Sequence, residues 1–422
     1  MTSTIDATAT ATATTAHPAT GGLTFGSVRS SLPVVLAPMA GVTNAAYRQV
    51  CREQAEAGVA DVVGDTASPA VQHAPTRPSD GLFVCEMVTS RGIVERDPKS
   101  LAMLSFDPGE RTRSVQLYGV DPATMAEATR FICGEFGVAH VDLNFGCPVP
   151  KVTRRGGGAV LPYKRNLLGA ILRAVVGAAS PFDAPVTMKT RMGIDERHLT
   201  YVDAGVIAAD SGMAAIALHG RTAEQHYSGT ADWDAIGTLV AAVDIPVLGN
   251  GDVWAAADAI EMMRATGCAG VVVGRGCLGR PWMFRDLARA LHPGGAAADA
   301  RPVLPSLGEV SMLMKRHAIL LCELIGEERG CRDFRKHVSW YLKGFPVGGE
   351  IRAAGGMVAS LADLDDVIGS LDPTLAYPDA EISAPRGRQG SPKWVVLPEG
   401  WLDDTDGIGL DLADAETDVS GG

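Results

Sequence analysis

Short runs of Val, Ile, Leu and Ala recur eight times along the first two thirds of the chain, at 34–40, 82–88, 114–119, 140–145, 186–191, 214–220, 246–251 and 269–274. Each is too short for a typical helix and apolar on successive residues, the pattern of a parallel strand buried on both faces. Between most of them lie Ala-rich stretches whose apolar positions return every three or four residues, at 122–136, 167–179, 201–210 and 254–266, as helices covering such a sheet require. Eight strand–helix units predict the α/β class and, within it, a closed (β/α)8 TIM barrel over 25–301. An open doubly wound sheet uses the same units but carries a Gly-rich fingerprint after its first strand. Here the first run closes on Pro38-Met39-Ala40-Gly41 instead.

Outside the barrel the pattern changes. From position 302 the strand-like runs stop and helical spacing takes over at 307–325, 332–343 and 361–371, which predicts an all-helical domain over 302–372. The segment 56–80 is interrupted by prolines and has no hydrophobic period, so it reads as a surface loop inserted in the barrel. Residues 1–24 alternate Ala and Thr without the basic and apolar blocks of a secretory signal and are expected to be a disordered tail. Beyond 372 the composition turns to Pro, Gly, Ser and acid, and only 394–402 is apolar enough to dock, which predicts an acidic, largely disordered tail over 373–422.

Composition narrows the function classes. No apolar run approaches the roughly 18 residues of a membrane span, so a soluble cytoplasmic protein without a membrane partner is expected, and a monomer. Eight cysteines are scattered with no C-x-x-C pair, which fits reduced thiols and argues against a metal site. The formal charge of −12 taken whole argues against a polyanion partner, but 395–422 alone holds eight acidic residues and no Lys or Arg, leaving −4 for the rest. The segment 311–345 carries seven basic and four acidic residues, a local +3 that permits contact with a polyanion.

In a barrel, the loops after the carboxyl ends of the strands build the active site. The fourth run ends in Asp142-Leu143-Asn144-Phe145-Gly146-Cys147-Pro148, which brings a thiol out of the sheet at the barrel mouth. A free thiol titrates near ~8.5, so Cys147 is mostly protonated at neutral pH and can act as a general acid as readily as a nucleophile. The fifth ends in Met188-Lys189-Thr190-Arg191, and an ammonium in an apolar strand needs an anion. Reduced flavin, negatively charged near its pyrimidine ring, is one such anion. The sixth ends in His219-Gly220-Arg221-Thr222, adding an imidazole to the same rim. The seventh and eighth end in Gly249-Asn250-Gly251-Asp252 and Gly274-Arg275-Gly276, where glycine-freed N–H groups and Arg275 suit the monophosphate of FMN. Pro38, Met39 and Ala40 after the first run, with Gln116 in the third, can line the face and polar edge of an isoalloxazine ring.

These motifs together resemble the tRNA-dihydrouridine synthases, the bacterial B-type branch above all, over about 36–345. The most specific part is Asn144-Phe145-Gly146-Cys147-Pro148 continued by Lys151-Val152-Thr153-Arg154-Arg155-Gly156-Gly157-Gly158, similar to the family's active-site signature and the loop behind it. Arg280-Pro281-Trp282 and Arg335-Lys336-His337-Val338-Ser339-Trp340-Tyr341-Leu342 are also similar to that branch. The resemblance implies reduction of the C5=C6 bond of a tRNA uracil, with FMN as carrier and NADPH as electron source. It implies hydride addition at C6 and a proton from Cys147 to C5. Lys189, His219 and Gln116 would then serve the flavin ring, Asn250, Gly251, Asp252, Gly274 and Arg275 its ribityl and phosphate, and Asn144 the flavin or the uracil. Arg335 and Lys336 would contact RNA from the helical domain. Two other readings stay open from the residues: an FMN-dependent barrel oxidoreductase acting on a free small molecule, and a non-catalytic RNA-binding barrel. The first leaves the basic helical domain idle; the second leaves Cys147, Lys189 and His219 without a task.

Overall fold

The computed structural model describes residues 21–64, 78–294 and 301–407. Most of the expected N-terminal tail, the centre of the expected inserted loop and the last fifteen residues of the acidic tail lie outside the described residues.

Eleven strands occur among them. β1 (Leu23–Phe25) and β2 (Val28–Ser30) form an antiparallel hairpin that the pattern of the sequence did not announce. The barrel strands are β3 (Val34–Leu36), β4 (Leu82–Phe83), β5 (Val88–Thr89), β6 (Ser114–Tyr118), β7 (His140–Phe145), β8 (Val186–Arg191), β9 (Ala215–His219), β10 (Val247–Asn250) and β11 (Gly270–Val273). All pair in parallel, in the order β4-β3-β11-β10-β9-β8-β7-β6-β5. The two ends of that order, β4 and β5, are halves of one predicted run, so the sheet has eight staves. Between the halves Val84 bridges Ser114 and the Cys85 N–H donates to the Ser114 carbonyl at 3.0 Å, which closes the ring. The run breaks where Glu86 leaves the wall to accept the Gly41 N–H at 2.6 Å. The β1–β2 hairpin plugs the amino end of the barrel: Leu23, Phe25 and Val28 pack with Val35, Leu82, Ala217 and Leu248.

Helices cover the outside. Helix Ala45–Val63 runs well into the segment expected to be a loop from 56, because Gly58 lets it lie against helix Met283–Leu291; a Cβ there would sit 2.5 Å from the Arg285 carbonyl oxygen. Helix Trp233–Ala242, also absent from the periodicity reading, is started by Asp232, whose carboxylate accepts the Ala235 N–H.

The C-terminal domain has four helices, Leu307–Ile325, Glu327–Tyr341, Gly348–Gly355 and Leu361–Gly369, where three were expected. Capping boxes at Ser306 with Glu309 and Ser360 with Asp363 fix two of the starts. Its core includes Ala46, Val50 and Trp282 of the barrel, so the two domains share a seam. At that seam the rings of Tyr47, His317, Phe334, His337 and Tyr341 pack together, with the two imidazole centroids 4.5 Å apart.

Residues 373–407, expected to be a largely disordered tail, form a strap held across the barrel mouth. Arg386, 1% exposed, donates to the carbonyls of Leu278 and Trp340 at 3.0 Å each. Further on, Val395 and Trp401 bury against Ala159, Val160, Ile194 and Ala223, and the Trp401 indole donates to the Val160 carbonyl at 3.2 Å. Neither anchor has a period, which is why composition alone misplaced the segment.

Burial keeps the seam imidazoles neutral, with His317 pushed down to about 3 and His337 well below its ordinary value. Unfolded histidine titrates near ~6.5, so as pH falls the unfolded chain takes up these protons first. The stabilisation is complete above pH ~6.5 and is lost progressively toward pH ~3. The thermal midpoint should therefore drop on acidification from pH 7.5 to 5.5, and His337→Phe, which replaces a ring with neither nitrogen hydrogen-bonded, should lessen that drop. An equal drop in the variant would contradict the buried-histidine explanation.

Candidate active site

The carboxyl ends of the strands open into a cavity of about 960 Å³. Cys147 and Asn144 reach it from β7, Lys189 from β8, His219 from β9, and Gln116 from β6. Pro38, Met39 and Ala40 line one wall, and Asn250, Gly251, Asp252, Gly274 and Arg275 line the side of β10 and β11.

A chain of hydrogen bonds crosses the floor from stave to stave. Thr187 donates its only hydroxyl proton to Asp142 Oδ1 at 2.6 Å, so it must accept from His140 Nε2 at 3.0 Å, which leaves Nδ1 to accept from Ser114 at 2.7 Å. Gln116 Nε2 donates to Asp142 Oδ2 at 2.7 Å, and Gln116 Oε1 accepts from Asn144 Nδ2 at 3.0 Å. The Asn144 oxygen then accepts both the Gly146 and the Cys147 N–H, each at 3.0 Å. The period-two alternation of strands makes this possible, since Gln116 and Thr187 are the register partners of Asp142 on either side.

The turn that carries Cys147 is fixed from the other directions as well. Arg191 Nε donates to the Gly146 carbonyl at 2.9 Å, and the Ala159 N–H donates to the Cys147 carbonyl at 3.0 Å. Gly158, at φ +59°, makes that return possible: a Cβ there would lie 2.5 Å from the Cys147 carbonyl oxygen. Burial pushes the Cys147 thiol up from its ordinary value, opposed by the Val149 N–H and by the nearby Arg191 and Lys189. The sulfur therefore carries its proton at neutral pH.

The charge balance of the cavity is one-sided. Its lining holds Lys189, Arg191, Arg275, Lys343 and Arg388 against one carboxylate, Asp252. Burial, then Arg191, brings Lys189 down to about 8, with Asp142 and Cys147 opposing. Burial, reinforced by Arg191 and Lys189, holds His219 well below its ordinary value, so it is a neutral imidazole. Arg221 can only donate, so at 3.4 Å from His219 Nε2 it assigns the ring proton to Nδ1. Arg388 is exposed and Lys343 pairs with Glu381, but Lys189, Arg191 and Arg275 are largely withdrawn from water, and cations so placed favour an anionic ligand. Glycine is required beside it, because Gly251 sits at φ +116° with its would-be Cβ 2.6 Å from Ala231.

Two expected ligands are already engaged. Asn250 Nδ2 donates to the Val272 carbonyl at 2.7 Å. Asp252 Oδ2 accepts from Arg221 at 2.8 Å and from the Ala231 N–H at 2.7 Å, while its buried Oδ1 has no hydrogen bond and lies 4.0 Å from Arg275. The Asp252 carboxylate thus orients Arg221 and Arg275. Arg275 is also stacked near the Tyr227 and Trp254 rings, at 4.2 and 5.1 Å from their centroids.

Arg335 and Lys336 do not line the cavity. Arg335 donates to the carbonyls of Val358 and Met357, at 2.7 and 3.1 Å. Lys336 pairs with Asp333 and faces Gly41 and Glu86 at the seam. Other cations of the basic segment are also paired, Lys315 with Asp365, Arg316 with Glu53, Arg332 with Glu328 and Lys343 with Glu381. Trp340, of the run 335–342 quoted for the resemblance, lines the cavity too, and Met87, Tyr227, Trp254, Lys343, Gly387 and Arg388 line it without having been assigned to the site from the sequence. The rule that strand-end loops build the site points to Met87, Tyr227 and Trp254; nothing in the composition pointed to Gly387 and Arg388. Among the described residues no group of His, Cys, Asp and Glu is placed to hold a metal ion, and no helix is long and apolar enough to cross a membrane.

A family profile described as Dihydrouridine synthase (Dus) matches residues 35–368. A "Probable tRNA-dihydrouridine synthase" of Mycobacterium tuberculosis (strain ATCC 25618 / H37Rv) is 51% identical over 385 residues, covering 91% of this chain and 93% of that protein. The "tRNA-dihydrouridine synthase B" of Pseudomonas aeruginosa is 37% identical over 320 residues, 76% of this chain and 86% of that one. Among solved structures, a histamine dehydrogenase from Rhizobium sp. 4-9 overlaps with a TM-score of 0.46 at 10% identity, covering 86% of this chain and 64% of that chain.

The buried thiol gives a direct readout. Alkylation of Cys147 by iodoacetamide, followed by mass spectrometry of its own peptide, should be slow at pH 7 and reach half its limiting rate only above the ordinary thiol range near ~8.5. A midpoint at or below that range would mean a thiolate-stabilising site and contradict the protonated state.

Proposed function

Because the chain belongs to the dihydrouridine synthase family, we propose that it reduces the C5=C6 bond of uridines in tRNA, in the cytoplasm, using FMN as carrier and NADPH as electron source. The observation that carries this reading is the meeting, in one cavity, of a protonated thiol with Lys189, Arg191 and Arg275, which outnumber the carboxylates beside them, Asp142 and Asp252.

FMN fits the residues present. Arg275 and the glycine-freed backbone at 251 and 274 would hold the phosphate, with Asn250 and Asp252 beside the ribityl chain and Asp252 acting by orienting Arg275. Pro38, Met39 and Ala40 would lie along the ring face, and Gln116, whose orientation is set by Asp142 and Asn144, at the pyrimidine edge. Lys189, which burial brings down to about 8, and the neutral N–H of His219 would meet negative charge at that edge. Bound there and reduced by NADPH, the flavin would supply hydride for uracil C6.

Hydride addition at C6 leaves enolate character on the uracil, conjugated through C4, and C5 must then take a proton. Cys147 holds that proton on Sγ at neutral pH. Asn144 and Arg191 position its turn, and Asn144 therefore acts through Cys147. The target uracil must leave the RNA stack to reach the cavity, and Lys336, at the edge between the barrel and the helical domain, would meet the RNA backbone there. Arg335 holds the Met357 and Val358 carbonyls with two of its five N–H donors and would offer the others to the RNA.

Cys147→Ala should keep bound flavin and NADPH oxidation by oxygen while lowering uridine reduction about 10²- to 10⁴-fold, the usual worth of a general acid. Full reduction of tRNA by the variant would remove Cys147 from the mechanism. Separately, Lys336→Glu should weaken tRNA binding several-fold at low salt with flavin content unchanged; equal affinity would exclude that contact.

A further inference from the structure

The strap offers what the paired cations of the helical domain do not. Between Arg386 and Trp394 it reads Arg-Gly-Arg-Gln-Gly-Ser-Pro-Lys-Trp, with no acidic residue, and the family profile ends before it at 368. Arg386 is buried and anchors the segment, whereas Arg388, Lys393 and Trp394 are exposed. Among the described residues neither Arg388 nor Lys393 has a side-chain ion pair.

Trp394 is 85% exposed, the most exposed large apolar side chain among the described residues. Its position is fixed: the Lys393 N–H donates to the Glu224 carbonyl at 2.9 Å, and Val395 is buried against Ala159, Val160, Ile194 and Ala223. The indole is therefore held at the rim between the loop after Cys147 and the loop after β9, with its ring left to solvent. Arg388 lines the cavity itself, its carbonyl accepting from Arg275 at 2.7 Å, and Lys393 lies close enough to the cavity residue His226 to act on its charge. An aromatic face flanked by unpaired cations at the mouth of a base-processing cavity is the combination that binds single-stranded or unstacked RNA: the ring stacks on a base and the cations meet phosphates.

We propose that the strap is a tRNA-docking surface, in which Trp394 stacks on an unpaired base beside the target uridine while Lys393 and Arg388 contact the flanking phosphates. This rests on the assignment of tRNA as substrate and adds a contact that the barrel and helical domain lack. It also gives the strap a reason to keep a tryptophan in water within a few residues of a buried one, Trp401.

The test uses the full-length, FMN-loaded protein with Trp394→Ala and Lys393→Ala, both exposed and outside the cavity lining. Binding of unmodified tRNA transcript should weaken about tenfold for Trp394→Ala, as loss of one base–aromatic stack predicts. For Lys393→Ala the slope of log affinity against log salt should fall by roughly one. KM for tRNA should rise with kcat, flavin content and thermal midpoint unchanged, and Trp394→Phe should recover most of the affinity. If wild-type protein reduces and binds tRNA while both variants match it in affinity and salt slope, the docking surface is refuted and the activity stands. If wild-type protein neither binds nor reduces tRNA, the substrate assignment itself fails.

Discussion

The site depends on one buried carboxylate. Asp142 sits inside the barrel wall, 5% exposed, where an unpartnered charge would be destabilising by several kcal/mol. It is kept there by Thr187 on one neighbouring strand, Gln116 on the other, and the charge of Lys189 above it. From that arrangement the orientation of every other polar group on the floor follows. Gln116 must turn its oxygen toward Asn144, Asn144 must turn its oxygen toward the Cys147 turn, and His140 must carry its proton on Nε2. Preorganisation of this kind holds a reactive group in place before substrate arrives.

Charge is distributed by the same economy of partners. Burial, reinforced by the neighbouring cations, keeps His219 neutral and lowers Lys189, and burial keeps the Cys147 sulfur protonated against the pull of Arg191 and Lys189. The cations on the helical domain, by contrast, are mostly matched by carboxylates from neighbouring segments, some of them distant in sequence, such as Glu53 and Glu381. A net charge summed along 311–345 could not register those partners. The acidic total of the chain is thus compatible with an anion-binding mouth, because local pairing decides which cations remain available.

What was legible in the sequence was what burial imposes locally. Strands β6 to β11 came out near their predicted positions because strands covered on both faces must be apolar on successive residues. The cavity residues followed from strand order, since side chains at the carboxyl ends of barrel staves have only one place to go. The β1–β2 hairpin escaped because strands of three residues have no period to detect. The strap escaped because it is held by Arg386 and Lys343 donating to backbone carbonyls and by two separated apolar anchors, Val395 and Trp401. The role of Arg191 as a brace for the Cys147 turn is also tertiary: its partner carbonyl, Gly146, belongs to a different stave.

Conversion of uridine to dihydrouridine adds two hydrogens, so the most direct observation is nucleoside mass spectrometry of tRNA from cells in which the gene for this chain is deleted. Uridines carrying an extra 2 Da should disappear from defined tRNA positions and return when the intact chain is restored. An unchanged dihydrouridine map in cells with no other enzyme of the family would contradict the assignment of tRNA uridine as substrate.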